Sequence, residues 1–155
     1  YTPKKTSMLS RSEIDYFLKE APDKKYLLMK VVLTFGIFGA CRRYELHNLC
    51  IDDVKHKGPN LEVHIRGQKL YKPRTFTIVA DGGPVNYVQF FDKYIALRPK
   101  NMRCKSLFVG YRDGKCCRQK VGVNSFGRYV IEVAKFLNLP NATTYTGRVF
   151  RSGAL

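Results

Sequence analysis

The stretch Gly39-Ala40-Cys41-Arg42-Arg43-Tyr44-Glu45-Leu46 decides the fold, because it joins the most apolar predicted helix to the polar part of the chain. The preceding residues, about 24–38, are apolar almost all the way round a helix, which places that helix in the middle of a domain. The first three residues of the stretch form a tight passage into a short helix, predicted over residues 42–49. Arg42 opens this helix, and its planar fork of donors fits a phosphodiester.

Outward from this stretch, helical and strand-like patterns fill what we expect to be one domain, residues 10–155, after a polar arm, residues 1–9. Ser10 and Glu13 have capping-box spacing, which predicts a helix that ends near Pro22, and we expect Asp23 to cap the apolar helix after it. Period-two alternation predicts a strand at 61–65, and a second strand at 75–79 completes a hairpin with a basic tip. The other predicted elements are strands at 51–54 and 107–109, helices at 85–97 and 124–137, and a final helix from residue 148.

The charge of the chain indicates its class of partner. Its 155 residues include 28 Lys and Arg against 12 Asp and Glu, a net charge of +16, which is typical of a nucleic-acid binder. A basic but inert surface is the alternative, since charge alone decides little. The basic residues are spread along the chain rather than along one amphipathic helix, and the longest apolar stretch, residues 31–40, is too short to span a bilayer. We therefore expect double-stranded DNA as the partner and no membrane.

The cysteines indicate the compartment. Cys116 and Cys117 are adjacent, which suits neither a zinc site nor a mutual disulfide, and His47 between Cys41 and Cys50 matches no zinc spacing. Reduced thiols are typical of a cytosolic or nuclear protein. We expect no metal and no other cofactor.

Residues 100–120 form the most basic window of the chain, with seven Lys or Arg against Asp113 alone. A solvated loop would explain this window, but we favour a strip along a DNA backbone, because neutralising phosphates releases counterions. With three cations outside the window, the predicted DNA-binding residues are Arg43, Lys72, Arg74, Arg103, Lys105, Arg112, Lys115, Arg118 and Lys120.

Three motifs, in this order, resemble those of the catalytic domain of the tyrosine recombinases, the phage-integrase family. Residues 39–46, followed by Leu49 and an aspartate, look like the family's first box, Thr-Gly-x-Arg-x-x-Glu-Leu. Gln68-Lys69-Leu70-Tyr71-Lys72-Pro73-Arg74 is similar to the family's hairpin lysine motif, and Arg148-Val149-Phe150-Arg151 occupies the place of His-x-x-Arg. The amino-acid sequences of these motifs look most like those of the Crypton group of eukaryotic transposons and their host-adopted relatives. The resemblance implies an α+β fold, mostly helical, with a small antiparallel sheet and truncated at its C-terminus.

The resemblance also implies roles for four cations, which would converge on one phosphate. Arg42 and Arg151 would hold the non-bridging oxygens, Lys69 would protonate the leaving 5′-oxygen, and no metal would be needed. Two departures bear on activity. Arg148 stands where the family usually has histidine, and arginine effectively cannot accept a proton. No tyrosine, the family's nucleophile, follows Arg151 in the sequence.

The leading hypothesis is therefore a nuclear DNA-binding domain derived from a tyrosine recombinase and inactive as given. One alternative is a fragment of an active DNA strand-exchange recombinase whose full-length form carries the tyrosine. Another is a protein-interaction module in a chromatin-associated host protein. In that case a homodimer or a protein partner would cover the face around Phe126, Phe136 and Leu137.

Overall fold

The predicted α+β class is confirmed by the computed structural model, which describes residues 8–67, 72–80 and 82–145. Five helices, two short 3-10 helices and five strands occupy these residues. In chain order they are α1 (Arg11–Glu20), α2 (Asp23–Gly39), α3 (Arg43–Asn48), a 3-10 helix (Ile51–Asp53), β1 (Val54–Lys57), β2 (Asn60–Ile65), β3 (Arg74–Ile78), α4 (Tyr87–Leu97), β4 (Val109–Arg112), β5 (Lys115–Lys120), α5 (Ser125–Phe136) and a 3-10 helix (Ala142–Thr144). No helix among the described residues has the length and apolar character needed to cross a membrane.

The helix α2 lies at the centre of the domain, as its all-round apolar pattern predicts. Twelve of its 17 residues are buried, and it packs against α1, β3, α4, β4 and α5. Phe35 shows why these elements meet there. Its ring centroid lies 6.2 Å from those of Phe76 and Phe91 and 5.5 Å from that of Phe108. Edge-to-face and tilted contacts of this kind add to the stabilisation that burial gives.

The start of α1 is confirmed, and the predicted cap of α2 is wrong. Ser10 Oγ accepts the Glu13 backbone N–H and Glu13 Oε1 accepts that of Ser10, which is a complete capping box. Asp23, however, is the first residue of α2 and caps nothing. Its carboxylate instead binds the ammonium groups of Lys30, at 2.6 Å, and Lys93, at 2.9 Å. Because Lys30 is buried, its charge needs a counterion more than the helix end needs a side-chain acceptor.

The first sheet is antiparallel, with the order β1-β2-β3. The alternation predicted for β2 is confirmed: Leu61, Val63 and Ile65 are buried, while the residues between them face outward. The strand predicted at 51–54 instead begins at Val54. The three residues before Val54 form a 3-10 turn, because Asp53 Oδ2 accepts the Cys50 backbone N–H at 2.8 Å and folds the chain back.

A second sheet, the antiparallel hairpin β4–β5, was missed by the sequence analysis, which predicted only a short strand at 107–109 within this window. Asp113 and Gly114 form its turn with φ values of 51° and 84°. A two-residue turn with both φ values positive matches the twist of the flanking strands, and Asp-Gly is a favoured pair there. Residues 109–120 of the basic window therefore form paired strands and a tight turn rather than an irregular loop.

Candidate nucleic-acid interface

Arg42 is fixed in place by Glu45, three residues further along the chain. It is the N-cap of α3, and its backbone N–H donates to Glu45 Oε1 at 2.8 Å. Its guanidinium Nη1 lies 3.7 Å from Glu45 Oε2, and 32% of the Arg42 side chain is exposed. One carboxylate thus holds both the backbone and the side chain of Arg42, while the guanidinium keeps access to solvent.

Glu45 is in turn held by Arg74, the first residue of β3. Arg74 Nη1 donates to Glu45 Oε2, and Nη2 donates to Glu45 Oε1 at 3.1 Å and to the Gly39 carbonyl at 2.8 Å. The Glu45 side chain is only 4% exposed. Arg74 was predicted to bind DNA, which stays a prediction. Its contacts here show a positioning role, because they join β3 to both ends of the passage between α2 and α3.

The carboxylate between these arginines is ionised. Burial alone would raise the pKa of Glu45, but hydrogen bonds from Arg74 and from the Arg42 backbone, together with both guanidinium charges, outweigh burial and lower it. The same pairing raises the pKa of Arg74. Nearby, burial raises the pKa of Cys41 to about 12, so this thiol is an inert part of the core.

Gly39 explains how β3 comes so close to α3. A Cβ built on Gly39 would lie 2.3 Å from Cε1 of the Phe76 ring, so a residue with a side chain would push β3 away from the end of α2. Phe76 follows Arg74 by two residues on the same strand and therefore on the same face. The first residue of the quoted stretch thus sets the distance over which Arg74 reaches Glu45.

Three further predicted DNA-binding residues lie beside α3. Arg43 is exposed, and its Nη1 lies 3.5 Å from Oδ1 of Asn124, the N-cap of α5. Burial, and after it the positive charge of Lys120, lowers the pKa of His47, so Lys120 at the end of β5 lies near α3. The Lys105 carbonyl accepts the N–H of Ile51, three residues after the end of α3, at 2.9 Å. Arg42 and Arg43 thus begin α3, and Lys105 and Lys120 lie near the same helix; we call these four residues the α3 cluster.

Arg112 and Lys115 lie elsewhere. The hydroxyl of Tyr111 donates to the Asp23 carbonyl at 2.6 Å, and Gly114 lies against Lys24, so the β4–β5 turn sits at the N-terminal end of α2. Arg42 follows the other end of this 17-residue helix, about 24 Å away at 1.5 Å per residue. The structure therefore places Arg112 and Lys115, in the middle of the predicted basic strip, far from Arg42.

The other predicted residues fall into two groups. Arg118 donates to the Asn101 carbonyl at 3.2 Å and lines a cleft with Arg103. Lys72 is exposed at the end of the β2–β3 connection. Lys69, Arg148 and Arg151 lie outside the described residues, so convergence of four cations on one phosphate stays a prediction. Across residues 8–67, 72–80 and 82–145, no group of three or more His, Cys, Asp or Glu could hold a metal ion.

Arg66 was not among the predicted site residues. Its Nε lies 3.3 Å from Asp53 Oδ2, and its Nη2 donates to the Asn48 carbonyl and lies 3.2 Å from Cys50 Sγ. With Glu45 it lines a cavity of about 210 Å³ that reaches Gly67, where the described part of the hairpin stops. Its position among the cations of the hairpin could have indicated from the sequence that Arg66 belongs to the site. Its partners could not, because they are distant in sequence.

Comparison with known proteins agrees with this architecture. No protein-family model and no curated protein matches the chain. Among solved structures, XerA recombinase aligns with a TM-score of 0.71 and 22% identity over 99% of this chain and 50% of that chain. XerH site-specific recombinase bound to palindromic difH substrate, a post-cleavage complex, aligns with a TM-score of 0.68 and 17% identity. The alignment covers 97% of this chain and 41% of that chain. The pre-cleavage XerH complex with difH aligns with a TM-score of 0.68 and 18% identity, over 99% of this chain and 43% of that chain. The chain spans half or less of these solved chains, and over that span it has the fold of a site-specific recombinase domain.

Proposed function

We propose that this chain is a DNA-binding domain derived from a tyrosine recombinase, with Arg42 at the centre of its phosphate-binding surface. The observation that carries the proposal is the anchoring of Arg42 by a nearly buried carboxylate, which leaves a third of the side chain exposed. A guanidinium that is already held beside a carboxylate, on a backbone fixed by the same carboxylate, loses less conformational freedom when it binds a phosphate oxygen. A surface arginine in an ordinary ion pair has no such support.

The surroundings of Arg42 support the same function. Arg43 follows Arg42 on α3, and Lys105 and Lys120 lie near the same helix, while Glu45, the acid that pairs with Arg42, is already shared between two guanidinium groups. Clustered cations of this kind attract the DNA backbone and release its counterions. The likeness in fold to XerH, a site-specific recombinase bound to its difH substrate, supports the proposal at the level of the fold.

The test compares two pairs of charge removals that are equal in number and differ in place. Arg43→Ala with Lys120→Ala removes two cations on or near α3, and Arg112→Ala with Lys115→Ala removes two at the far end of α2. Binding to a labelled duplex is measured by fluorescence anisotropy over a series of salt concentrations. The logarithm of the binding constant falls linearly with the logarithm of the salt concentration, and each lost phosphate contact makes this slope less steep by about 0.9. The first pair should therefore make it less steep by about 2.

The far pair should change this slope little, which also tests its predicted role in DNA binding. Equal effects of the two pairs would mean that bulk charge, rather than a surface around Arg42, binds DNA. A wild-type chain that binds no duplex at low salt would overturn the proposal altogether.

We also propose that this domain binds DNA without cleaving it, because Arg148 stands where a histidine would act and arginine effectively cannot accept a proton. The alternative is a longer, active recombinase that supplies the tyrosine beyond Leu155. Incubation of such a longer chain with DNA, followed by denaturing electrophoresis, separates the two. A covalent protein–DNA adduct would favour the active recombinase.

Descent from the Crypton group is a further proposal, supported by the amino-acid sequence of residues 39–46. A nuclear location is another, supported by DNA as the proposed partner. The interaction-module alternative has less support. Phe126 is fully buried, and Phe136 packs edge-to-face at 5.4 Å on both Phe17 and Tyr26. These side chains are therefore partly or wholly covered within the described part of the domain. Sedimentation velocity over a range of concentrations tests for a homodimer.

A further inference from the structure

The outward side of α3 carries a tyrosine that the core does not use. Tyr44 is 54% exposed, although Glu45 and Leu46 beside it are buried. Among the described residues, its one ring contact is the Arg43 guanidinium, whose Cζ lies 5.2 Å from the ring centroid. A single exposed aromatic needs no explanation. This one stands out because it follows Arg43, a member of the α3 cluster, and has the Arg43 guanidinium against its ring.

The neighbours of Tyr44 suit a nucleobase. Arg43 and His47 are four residues apart on α3 and therefore share a face, and Tyr44 lies next to Arg43 on the outward side. His47 has a lowered pKa and is neutral at pH 7. Aromatic rings and arginine planes are the groups on which proteins stack unpaired bases, and such stacking tolerates any base because each base has a π-face.

Distance along the chain places the Tyr44 backbone close to the proposed phosphate site. Tyr44 follows Arg42 by two residues, so their Cα atoms are within about 8 Å of each other. A base belonging to a nucleotide whose phosphate is held at Arg42, or to its neighbour, is within reach of a tyrosine side chain. In a fully paired duplex the base faces are covered by neighbouring base pairs, so only an unpaired base offers a face.

We propose that Arg43 and Tyr44 form a stacking platform for one unpaired nucleobase next to duplex DNA. The inference rests on the proposed DNA-binding function and narrows it. The domain would prefer DNA with an extruded or bulged nucleotide over a perfect duplex. The phosphates are held by the α3 cluster in both kinds of DNA, and Tyr44 supplies the difference between them.

The experiment uses two labelled DNAs, a fully paired duplex and the same duplex with one unpaired nucleotide in the middle of one strand. Wild-type protein should bind the bulged DNA about fivefold more tightly or better, the lower end of what one stacked base contributes. Tyr44→Ala should remove this preference and leave affinity for the paired duplex within roughly a factor of two, as for other surface substitutions. Tyr44→Phe should keep it, because the ring remains.

Tyr16→Ala is the matched control, because Tyr16 is 58% exposed on α1, outside the α3 cluster, and its removal should change neither affinity. A fluorescent purine analogue at the unpaired position gives a second readout, since its quenching on binding should need the Tyr44 ring. Wild-type protein that binds both DNAs equally would overturn the platform while leaving the proposed function intact. Equal weakening of both DNAs by Tyr44→Ala would also overturn it, because Tyr44 would then be a backbone contact. No binding to either DNA would reject the proposed function itself.

Discussion

Arg74→Ala tests whether Arg74 positions α3 or binds DNA. In the structure its guanidinium donates twice to Glu45 and once to the Gly39 carbonyl. Without it, the Glu45 carboxylate, which is 4% exposed, keeps only the Arg42 backbone N–H at 2.8 Å and the Arg42 guanidinium at 3.7 Å. The variant therefore leaves a nearly buried negative charge with half of its partners.

The size of the effect follows from that burial. Removing one partner of a fully buried ion pair costs about 3–5 kcal/mol. Here 34% of the Arg74 side chain is exposed and Arg42 remains, so water and the second arginine recover part of this. We expect the free energy of unfolding to fall by about 2–3 kcal/mol, less than for a fully buried pair. For a domain of this size the corresponding fall in Tm is about 5–10 °C.

The pH dependence gives the effect a signature. The folded pKa of Glu45 lies below its unfolded value, so its contribution to stability is fully present above about pH 4.3 and is lost as the pH falls through the folded pKa. The difference between wild type and Arg74→Ala should therefore be largest near neutral pH and shrink in acid. Urea unfolding followed by circular dichroism at several pH values measures it, with the exposed Arg112→Ala as control. Unchanged stability together with weaker DNA binding would refute the positioning role and support Arg74 as a DNA ligand.

Three other changes test the packing around this site. Gly39→Ala should lower the free energy of unfolding by about 1–3 kcal/mol, because its Cβ would overlap the Phe76 ring; a thermal melt that matches wild type would show that β3 moves aside freely. Lys30→Met should destabilise the domain at neutral pH and less so in acid. The reason is that the pKa of Asp23 is lowered in the folded protein, so its ion pair with Lys30 is stabilising only above the folded pKa. Urea unfolding at two pH values measures this, and a difference in stability that does not depend on pH would contradict it. Cys41 should stay unmodified by a thiol reagent at pH 8 in native protein, because it is buried and its pKa is about 12; mass spectrometry of the labelled peptides checks this, and rapid labelling would show that α2 opens.

The parts of the fold that were predicted from sequence are those specified by local patterns. The capping box of Ser10 and Glu13 lies within three residues, and the alternation of β2 lies within six, so both can be read without knowing the partners. The hairpin β4–β5 was missed because β5 is almost wholly exposed and therefore shows no apolar alternation. Its Asp113-Gly114 turn was a usable signal.

The centre of the candidate site depends instead on distant residues. Glu45 and Arg74 are 29 positions apart, and nothing local to either shows that they meet. Arg74 was therefore grouped with the solvated cations of the hairpin. Asp23 was misassigned for the same reason, because Lys93, 70 positions away, is one of its two partners. A charged side chain next to a helix end can serve the helix or a remote charge, and only the folded arrangement shows which it serves.

The shared carboxylate has a consequence for how the site meets DNA. Arg42, Arg74 and Glu45 together carry one net positive charge, so the acid reduces the attraction of the pair for phosphate by half while fixing the direction of Arg42. If the proposed DNA-binding function holds, the long-range attraction has to come from other residues, and the exposed cations Arg43, Lys105 and Lys120 would supply it. Steering and orientation are thus assigned to different residues. Substitutions in the flanking cations should mainly change the association rate and its dependence on salt. Loss of the Arg42–Glu45 contact should mainly change dissociation, because a guanidinium that must be oriented on binding holds the phosphate less well.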